Sequence, residues 1–258
     1  MRRSFSCLLL GASLCLSSPA GAMPAQRIVS LDLCTDWMLA RYADPARVAA
    51  LSPMHRRFPV AWLDAGWPAH DGSLERILEL RPDLVITGEY NALQLRGRLQ
   101  TLGVRVEILP LPTTLAAVGE YERRLLALVG RSDTPPSAAP PPKPGPHPPK
   151  RLLLLGANGI GTGRGTFEDG ILERAGWTNY LRDEGYVRLD LERIATDPPD
   201  AVLWAAPASQ ALANRFAEHP VLRRTVPPER WLATDYWRWQ CPGPWTWELV
   251  GQLNRWLD

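Results

Sequence analysis

Cys34 and Cys241 are the pair of residues in this chain whose chemistry is best defined. Each follows a predicted strand, one near the start of the chain and one near its end. In an oxidising compartment two such thiols can form a disulfide, and we favour a bridge or a simple proximity pair. The competing interpretation is two thiolates offered to a soft metal or a reactive ligand. Both interpretations remain open at the level of sequence.

Other candidate ligand contacts lie in loops that follow predicted strands. In α/β folds, ligand groups come from loops at the carboxyl ends of strands. Four such loops span residues 33–37, 88–91, 157–164 and 235–245, and the irregular segment 54–72 adds a fifth. The candidates are Cys34, Asp36, Trp62, Trp67, Tyr90, Arg164, Trp237, Trp239 and Cys241, with Arg56, Arg57 and Arg238 as further arginines.

The chemistry of these side chains favours a large ligand. Aromatic walls suit a flat or apolar chelate, Tyr90 can offer a hydrogen bond, and the arginine fork suits anionic carboxylates. Each loop tryptophan can equally fill a gap between structural elements, and each arginine can be a solvated surface charge.

A repeated phrase indicates how these loops are positioned. Residues 73–86 read SLERILELRPDLVI and residues 190–203 read DLERIATDPPDAVL, identical at 7 of 14 positions without a gap. In each copy Ser73 or Asp190 can cap a short helix, a proline ends it, and an apolar strand follows. Such a repeat predicts two similar lobes with a ligand crevice between them.

The surrounding pattern alternates strands with helices, which is typical of an α/β fold with a mostly parallel sheet. Strands are predicted at 27–31, 48–51, 104–109, 151–155 and 231–234. Helices are predicted at 35–42, with Thr35 as the cap, and at 91–102, 114–129, 166–175, 209–217 and 245–257. We therefore predict two Rossmann-like α/β lobes, at residues 23–130 and 151–258, with the ligand cleft between them.

The lobes are joined by residues 131–150. The stretch 131–149 contains nine prolines, so it cannot form a helix and favours extended conformations. It marks the boundary between the lobes.

The beginning of the chain has the three parts of a secretory signal. Arg2 and Arg3 precede a short apolar stretch, and Ala20-Gly21-Ala22 is a cleavage site. Cleavage after Ala22 predicts export to the periplasm. It would leave 236 residues with 27 basic and 27 acidic side chains. Because the cleaved chain would have no net charge and no basic stripe, nucleic-acid binding is disfavoured.

The sequence lacks the motifs of several kinds of enzyme and metal site. The glycine-rich loop at 156–165 does not fit G-x-G-x-x-G in any register, although its backbone N–H groups could receive an anionic group. The histidines show no metal-ligand spacing. No nucleophile motif of a hydrolase is present. We expect neither catalysis nor a resident cofactor.

The combined pattern resembles the periplasmic binding proteins that feed ABC importers for iron–siderophore complexes and cobalamin. The resemblance is carried by the strand at 27–31, the two LERI…PD phrases, Leu102-Gly103-Val104 and Ala175-Gly176-Trp177-Thr178-Asn179. It implies a monomer that binds a metal chelate, a ferric siderophore or a corrinoid. The implied partner is an inner-membrane ABC permease dimer. A secreted enzyme or sensor on the same scaffold is the alternative of another class.

The resemblance also assigns a role to the repeated glutamates. In the vitamin B12 member, one exposed glutamate on each lobe pairs with arginines of the transporter, and the matching residues here are Glu75 and Glu192. Each glutamate alone could simply offset a helix dipole. Family members usually have a helix between the lobes, where this chain has its proline-rich linker. That difference predicts a larger opening of the lobes.

Overall fold

The structure, a computed structural model, describes residues 25–204, 212–234 and 237–257. The first lobe is a four-stranded parallel sheet in the order β2-β1-β3-β4. Its strands are β1 (Ile28–Ser30), β2 (Val48–Ala50), β3 (Leu84–Gly88) and β4 (Val106–Leu109). Its helices are α1 (Leu33–Tyr42), α2 (Met54–Arg57), α3 (Leu74–Glu79), α4 (Leu93–Thr101) and α5 (Leu115–Leu128).

The second lobe is a six-stranded mixed sheet. Its path is β10-β9-β5-β6-β8, with the short β7 also paired to β5 and with β6 antiparallel to both of its neighbours. The strands are β5 (Arg151–Leu155), β6 (Ile160–Thr162), β7 (Thr178–Asn179), β8 (Tyr186–Arg188), β9 (Ala201–Trp204) and β10 (Trp231–Ala233). The helices are α6 (Phe167–Arg174), α7 (Leu191–Thr196), α8 (Pro220–Thr225), α9 (Trp237–Gln240) and α10 (Pro244–Arg255).

The central strands of both sheets are buried on their two faces. Successive residues of a strand point to opposite sides of its sheet. In the first lobe Ile28 packs with α1 and α5, whereas Val29 packs with α3 and α4. In the second lobe Leu154 packs with α6 and α10, whereas Leu153 packs with α7 and α8. The continuous apolar runs of the sequence are therefore explained, and the predicted α/β class is confirmed.

The two copies of the repeated phrase have the same local structure. Ser73 and Asp190 cap α3 and α7 by accepting backbone N–H groups of the first turn. The aspartate that follows each proline, Asp83 or Asp200, accepts the N–H of Arg27 or Arg151 at the start of the neighbouring strand. The repeat therefore pairs β3 with β1 and β9 with β5 in the same way.

Three local predictions need correction. Thr35 does not cap α1; Asp32 does, by accepting the N–H groups of Cys34 and Thr35. The segment predicted as irregular contains the short helix α2. The helix predicted at 209–217 is a 3-10 helix over Leu212–Glu218, and residues 209–211 lie outside the described residues, as does the predicted signal at 1–22.

No helix is found between Leu128 and Arg151, as predicted for the proline-rich linker. It nevertheless does not hang free. The buried carboxylate of Glu122 in α5 accepts a hydrogen bond from the N–H of Ser137 at 2.6 Å. The Ser137 hydroxyl accepts one from the indole of Trp247 in α10 at 2.9 Å. Further along, Arg174 of α6 donates to the carbonyl of Pro140. The linker is fastened to helices of both lobes.

Helix α10 packs into both lobes. Its first turn places Trp245 in the core of the first lobe, whereas Leu249 and Leu253 lie in the core of the second. The chain therefore returns to the first lobe after completing the second sheet. Together with the fastened linker, this return connects the two lobes at further points, and the larger opening stays a prediction. In the described residues no helix is long and apolar enough to cross a membrane.

Candidate functional site

Cys34 and Cys241 form a disulfide with a Cα–Cα distance of 5.2 Å. Of the two interpretations of this pair, the bridge is the correct one, and neither sulfur is offered to a ligand as a thiolate. The bridge connects the first turn of α1 to the segment between α9 and α10. Cys241 is buried in the core of the first lobe, so the bridge secures the returning segment there.

A tryptophan cluster surrounds this junction. Trp37 of α1 meets Trp245 edge to face with ring centroids 5.9 Å apart. Trp62 stacks on the other side of Trp245, also at 5.9 Å, and remains 39% exposed. Trp67 is partly buried against the same core. Trp67 therefore fits the gap-filling interpretation, whereas Trp62 combines packing with a surface available to a ligand.

Buried polar residues hold together the carboxyl edge of the first sheet. Asp32, after β1, accepts the backbone N–H of Gly88 at the end of β3 at 2.6 Å. The Ser30 hydroxyl lies 2.6 Å from that of Thr35. His70 donates from Nε2 to the carbonyl oxygen of Ser30 at 2.8 Å. These contacts fix the loop geometry at the edge from which ligand-binding loops leave.

Asp36 belongs to this network, and the structure does not place it on an open cleft wall. Its side chain is fully buried. It accepts the N–H of Ser52 at 2.8 Å and the Ser52 hydroxyl at 2.6 Å. Burial raises the pKa of Asp36 from 3.8 to about 7, because the charged form loses its hydration. The prediction that Asp36 contacts the ligand is therefore wrong, since Asp36 ties α1 to the segment after β2.

Asp36 is expected to make folding stability depend on pH. Between pH 4 and 7 the unfolded chain releases this proton while the folded chain keeps it, so stability falls as the pH rises through that window. Asp36→Asn should gain stability over the wild type across the window, on the order of 4 kcal/mol at its upper end. Thermal unfolding at pH 4, 5.5 and 7 measures the difference.

The comparison with the wild type also removes the contribution of the nearby histidines. Burial lowers the pKa of His55 and of His70, so they destabilise the fold as the pH falls, in the opposite sense. Both proteins carry these histidines. A constant difference between wild type and Asp36→Asn at all three pH values would contradict a raised pKa for Asp36.

The other predicted cleft residues are distributed over both lobes. Tyr90 follows β3 and is 70% exposed, as a ligand contact requires. Arg164 is exposed, and its Nε donates to the carbonyl of Arg182. Trp237 begins α9, and its side chain lies outside the described part of the structure.

Trp239 lines a cavity of about 190 Å³ at the carboxyl end of β5. Its indole N–H donates to the Thr234 hydroxyl at 2.7 Å, and the ring is 8% exposed. The cavity walls also include Glu168 at the start of α6 and Tyr186 of β8. Neither Glu168 nor Tyr186 was among the candidates from the sequence, because nothing in their spacing distinguishes them from surface residues. The complete described lining is Leu154, Gly156, Ala157, Ile160, Thr162, Glu168, Tyr186 and Trp239.

A second groove, of about 480 Å³, lies directly between the lobes. The loop before α5, with Thr113 and Thr114, forms one wall, and residues 165–174 form the other. Hydroxyl and carboxylate side chains line this interlobe groove together with the apolar Leu115 and Phe167. Among the described residues no group of three or more His, Cys, Asp or Glu side chains is placed to hold a metal ion.

Glu75 and Glu192 occupy the same position in the two lobes. Each is exposed in the first turn of its helix, α3 or α7, after the capping residue. Neither carboxylate forms an ion pair with another described residue. Leu74, beside Glu75, lines a groove of about 680 Å³ between α3 and α4. Each lobe thus presents a carboxylate to solvent at the same position of the repeat.

No protein-family model matches the chain, and no curated protein matches it. Solved structures do match. A possible iron-binding periplasmic solute-binding protein from Staphylococcus epidermidis aligns with a TM-score of 0.70 at 15% identity, over 90% of this chain and 98% of that one.

Two further structures have named ligands. A periplasmic heme binding protein from Pseudomonas aeruginosa aligns with a TM-score of 0.63 at 23% identity, over 90% of this chain and 92% of that one. A periplasmic vitamin B12 binding protein of Vibrio cholerae aligns with a TM-score of 0.59 at 20% identity, over 91% and 97%. The chain therefore has the two-lobed fold of periplasmic binding proteins along nearly its whole length.

Proposed function

We propose that this chain is the periplasmic binding component of an ABC importer, which captures a metal chelate between its lobes and delivers it to an inner-membrane permease dimer. One observation carries the proposal: two exposed glutamates occupy equivalent first-turn positions in the two lobes. A permease with twofold symmetry would present the same basic site twice, and one carboxylate from each lobe fits that demand.

The proposed ligand is an iron–siderophore complex, with a corrinoid as the second candidate. The proteins of similar fold are described as binding iron, heme or vitamin B12, all of which are metals or metal chelates. Exposed aromatic residues support a large chelate, since Trp62 and Tyr90 offer ring surface in loops of the first lobe. A periplasmic location also accounts for the Cys34–Cys241 bridge, because such bonds persist where the surroundings are oxidising.

Titration monitored by tryptophan fluorescence tests the proposed ligand class. We expect ferrioxamine B or cobalamin to change the emission with a saturable dependence on concentration, because Trp62 is partly exposed in a loop. Free ferric ion without a chelator serves as the control and should give no saturable change. Folded protein that responds to neither chelate would contradict the proposed ligand while leaving the fold unaffected.

A further inference from the structure

The cavity beside Trp239, described above, has an unusual polar wall. The Tyr186 hydroxyl lies 3.4 Å from both carboxylate oxygens of Glu168. Burial raises the pKa of Glu168 above its ordinary value. Thr162 adds a hydroxyl-bearing side chain, and Trp239 adds an aromatic wall. A carboxylate that has lost part of its hydration gains from any hydrogen-bond donor that enters the cavity.

Three N–H groups at the end of the glycine-rich loop that leads into α6 already have hydrogen-bond acceptors. The N–H of Gly163 donates to the carbonyl of Gly185 at 2.7 Å, and the N–H of Arg164 donates to that of Asp183 at 2.8 Å. The N–H of Gly165 donates to the carboxylate of Asp169 at 2.9 Å. An anionic ligand would have to displace these acceptors before it could bind the three N–H groups.

The residues that line the cavity determine which charge of ligand it favours. Of the described residues that line the cavity, none is an arginine or a lysine, and Glu168 is the charged one. An anionic group placed here would face a carboxylate without a compensating cation, which is unfavourable at low local dielectric. An ammonium or amide N–H group would instead form a hydrogen bond to Glu168.

We propose that this cavity is a subsite for a hydrogen-bond-donating arm of the chelate, an ammonium or amide group that binds Glu168 and packs on Trp239. The inference rests on the proposed function and specifies its ligand class. At about 190 Å³ the cavity is smaller than pockets that enclose a whole ligand. It therefore holds the end of a side chain while the metal centre lies outside it.

The test measures the affinities of four probes for the full-length mature protein and for its variants. Ferrioxamine B carries an ammonium arm, cobalamin carries amide arms, and haemin and ferric citrate carry carboxylates. We expect ferrioxamine B or cobalamin to bind more tightly than the two carboxylate probes. Glu168→Leu should weaken the binding of that preferred probe at least tenfold, as expected for a lost hydrogen bond to a charged group. The same substitution should not weaken the binding of haemin.

A second variant distinguishes the two donor chemistries. Glu168→Gln keeps an oxygen acceptor but removes the charge, so an ammonium arm should lose about as much affinity as with Leu, whereas an amide arm should lose less. Glu229→Gln is the matched control, because Glu229 is an exposed glutamate of the same lobe that lines neither this cavity nor the interlobe groove. It should leave all affinities unchanged. If Glu168→Leu unfolds, Tyr186→Phe perturbs the same site more mildly, because Tyr186 is largely exposed.

The outcomes separate this inference from the proposed function. Tight binding of haemin or ferric citrate alone, or equal affinities in wild type and both Glu168 variants, would overturn the subsite while supporting a chelate-binding protein. Failure of all four probes to bind folded protein would overturn the proposed function and the subsite with it.

Discussion

Reversing both repeated glutamates, with Glu75→Lys and Glu192→Lys, is expected to abolish uptake of the chelate while leaving its affinity for the purified protein unchanged. The two carboxylates are exposed at the first turns of α3 and α7 and are absent from the lining of the cavity beside Trp239 and of the interlobe groove. If they pair with basic groups of the permease, each reversal replaces an attraction by a repulsion, which costs several kcal/mol across an interface. Each single reversal should reduce uptake partially.

Uptake of radiolabelled chelate into cells that depend on this protein measures the effect, and fluorescence titration of the purified variant measures affinity. The matched control reverses two other exposed glutamates, one in each lobe, Glu120→Lys and Glu229→Lys, with the same change in net charge. Uptake by the control should equal that of the wild type. Normal uptake by the Glu75/Glu192 variant would show that these glutamates only offset the dipoles of their helices.

Removing the disulfide is expected to have the largest effect on stability. The bridge joins residues separated by 207 positions, and closing a loop of that length lowers the entropy of the unfolded chain by an amount worth about 5 kcal/mol at 25 °C. Replacement of both cysteines by alanine should lower the free energy of unfolding by a similar amount. The loss should also loosen Trp245, whose neighbour Cys241 would no longer be held against α1.

Chemical denaturation followed by tryptophan fluorescence measures this loss. Reductant should shift the midpoint of the wild type toward that of the double-alanine variant and should have no effect on the variant itself. Identical midpoints for oxidised wild type and variant would mean that packing of α10 alone determines the stability of the junction.

The layered fold was predictable because its signals are local. Apolar runs such as Leu152–Leu155 indicate a strand that is buried on both faces. Ser73 and Asp190 cap the helices that begin directly after them. The repeat predicted the equivalence of the two lobes. It did not reveal that Arg27 and Arg151 are also equivalent, because the spacing between β1 and β3 differs from that between β5 and β9.

The contents of the site were less predictable, because burial depends on contacts between distant segments. Asp36 follows a strand, as a ligand-contacting residue would. It is nevertheless buried, where it accepts two hydrogen bonds from Ser52. Trp239 was a candidate from the sequence, but the acid beside it, Glu168, comes from a different helix and has no local signature. The return of α10 to the first lobe could be suspected only from Cys34 and Cys241.

The Cys34–Cys241 bond has a topological consequence. It makes the chain from residue 34 to residue 241 a closed covalent ring, which contains nearly all of both sheets and the whole proline-rich linker. A protease that cuts the linker once would open the ring without dividing the molecule, because the two fragments stay joined through sulfur. The stretch between the lobes is thus a place where this protein can be nicked and still remain one molecule until it meets a reductant.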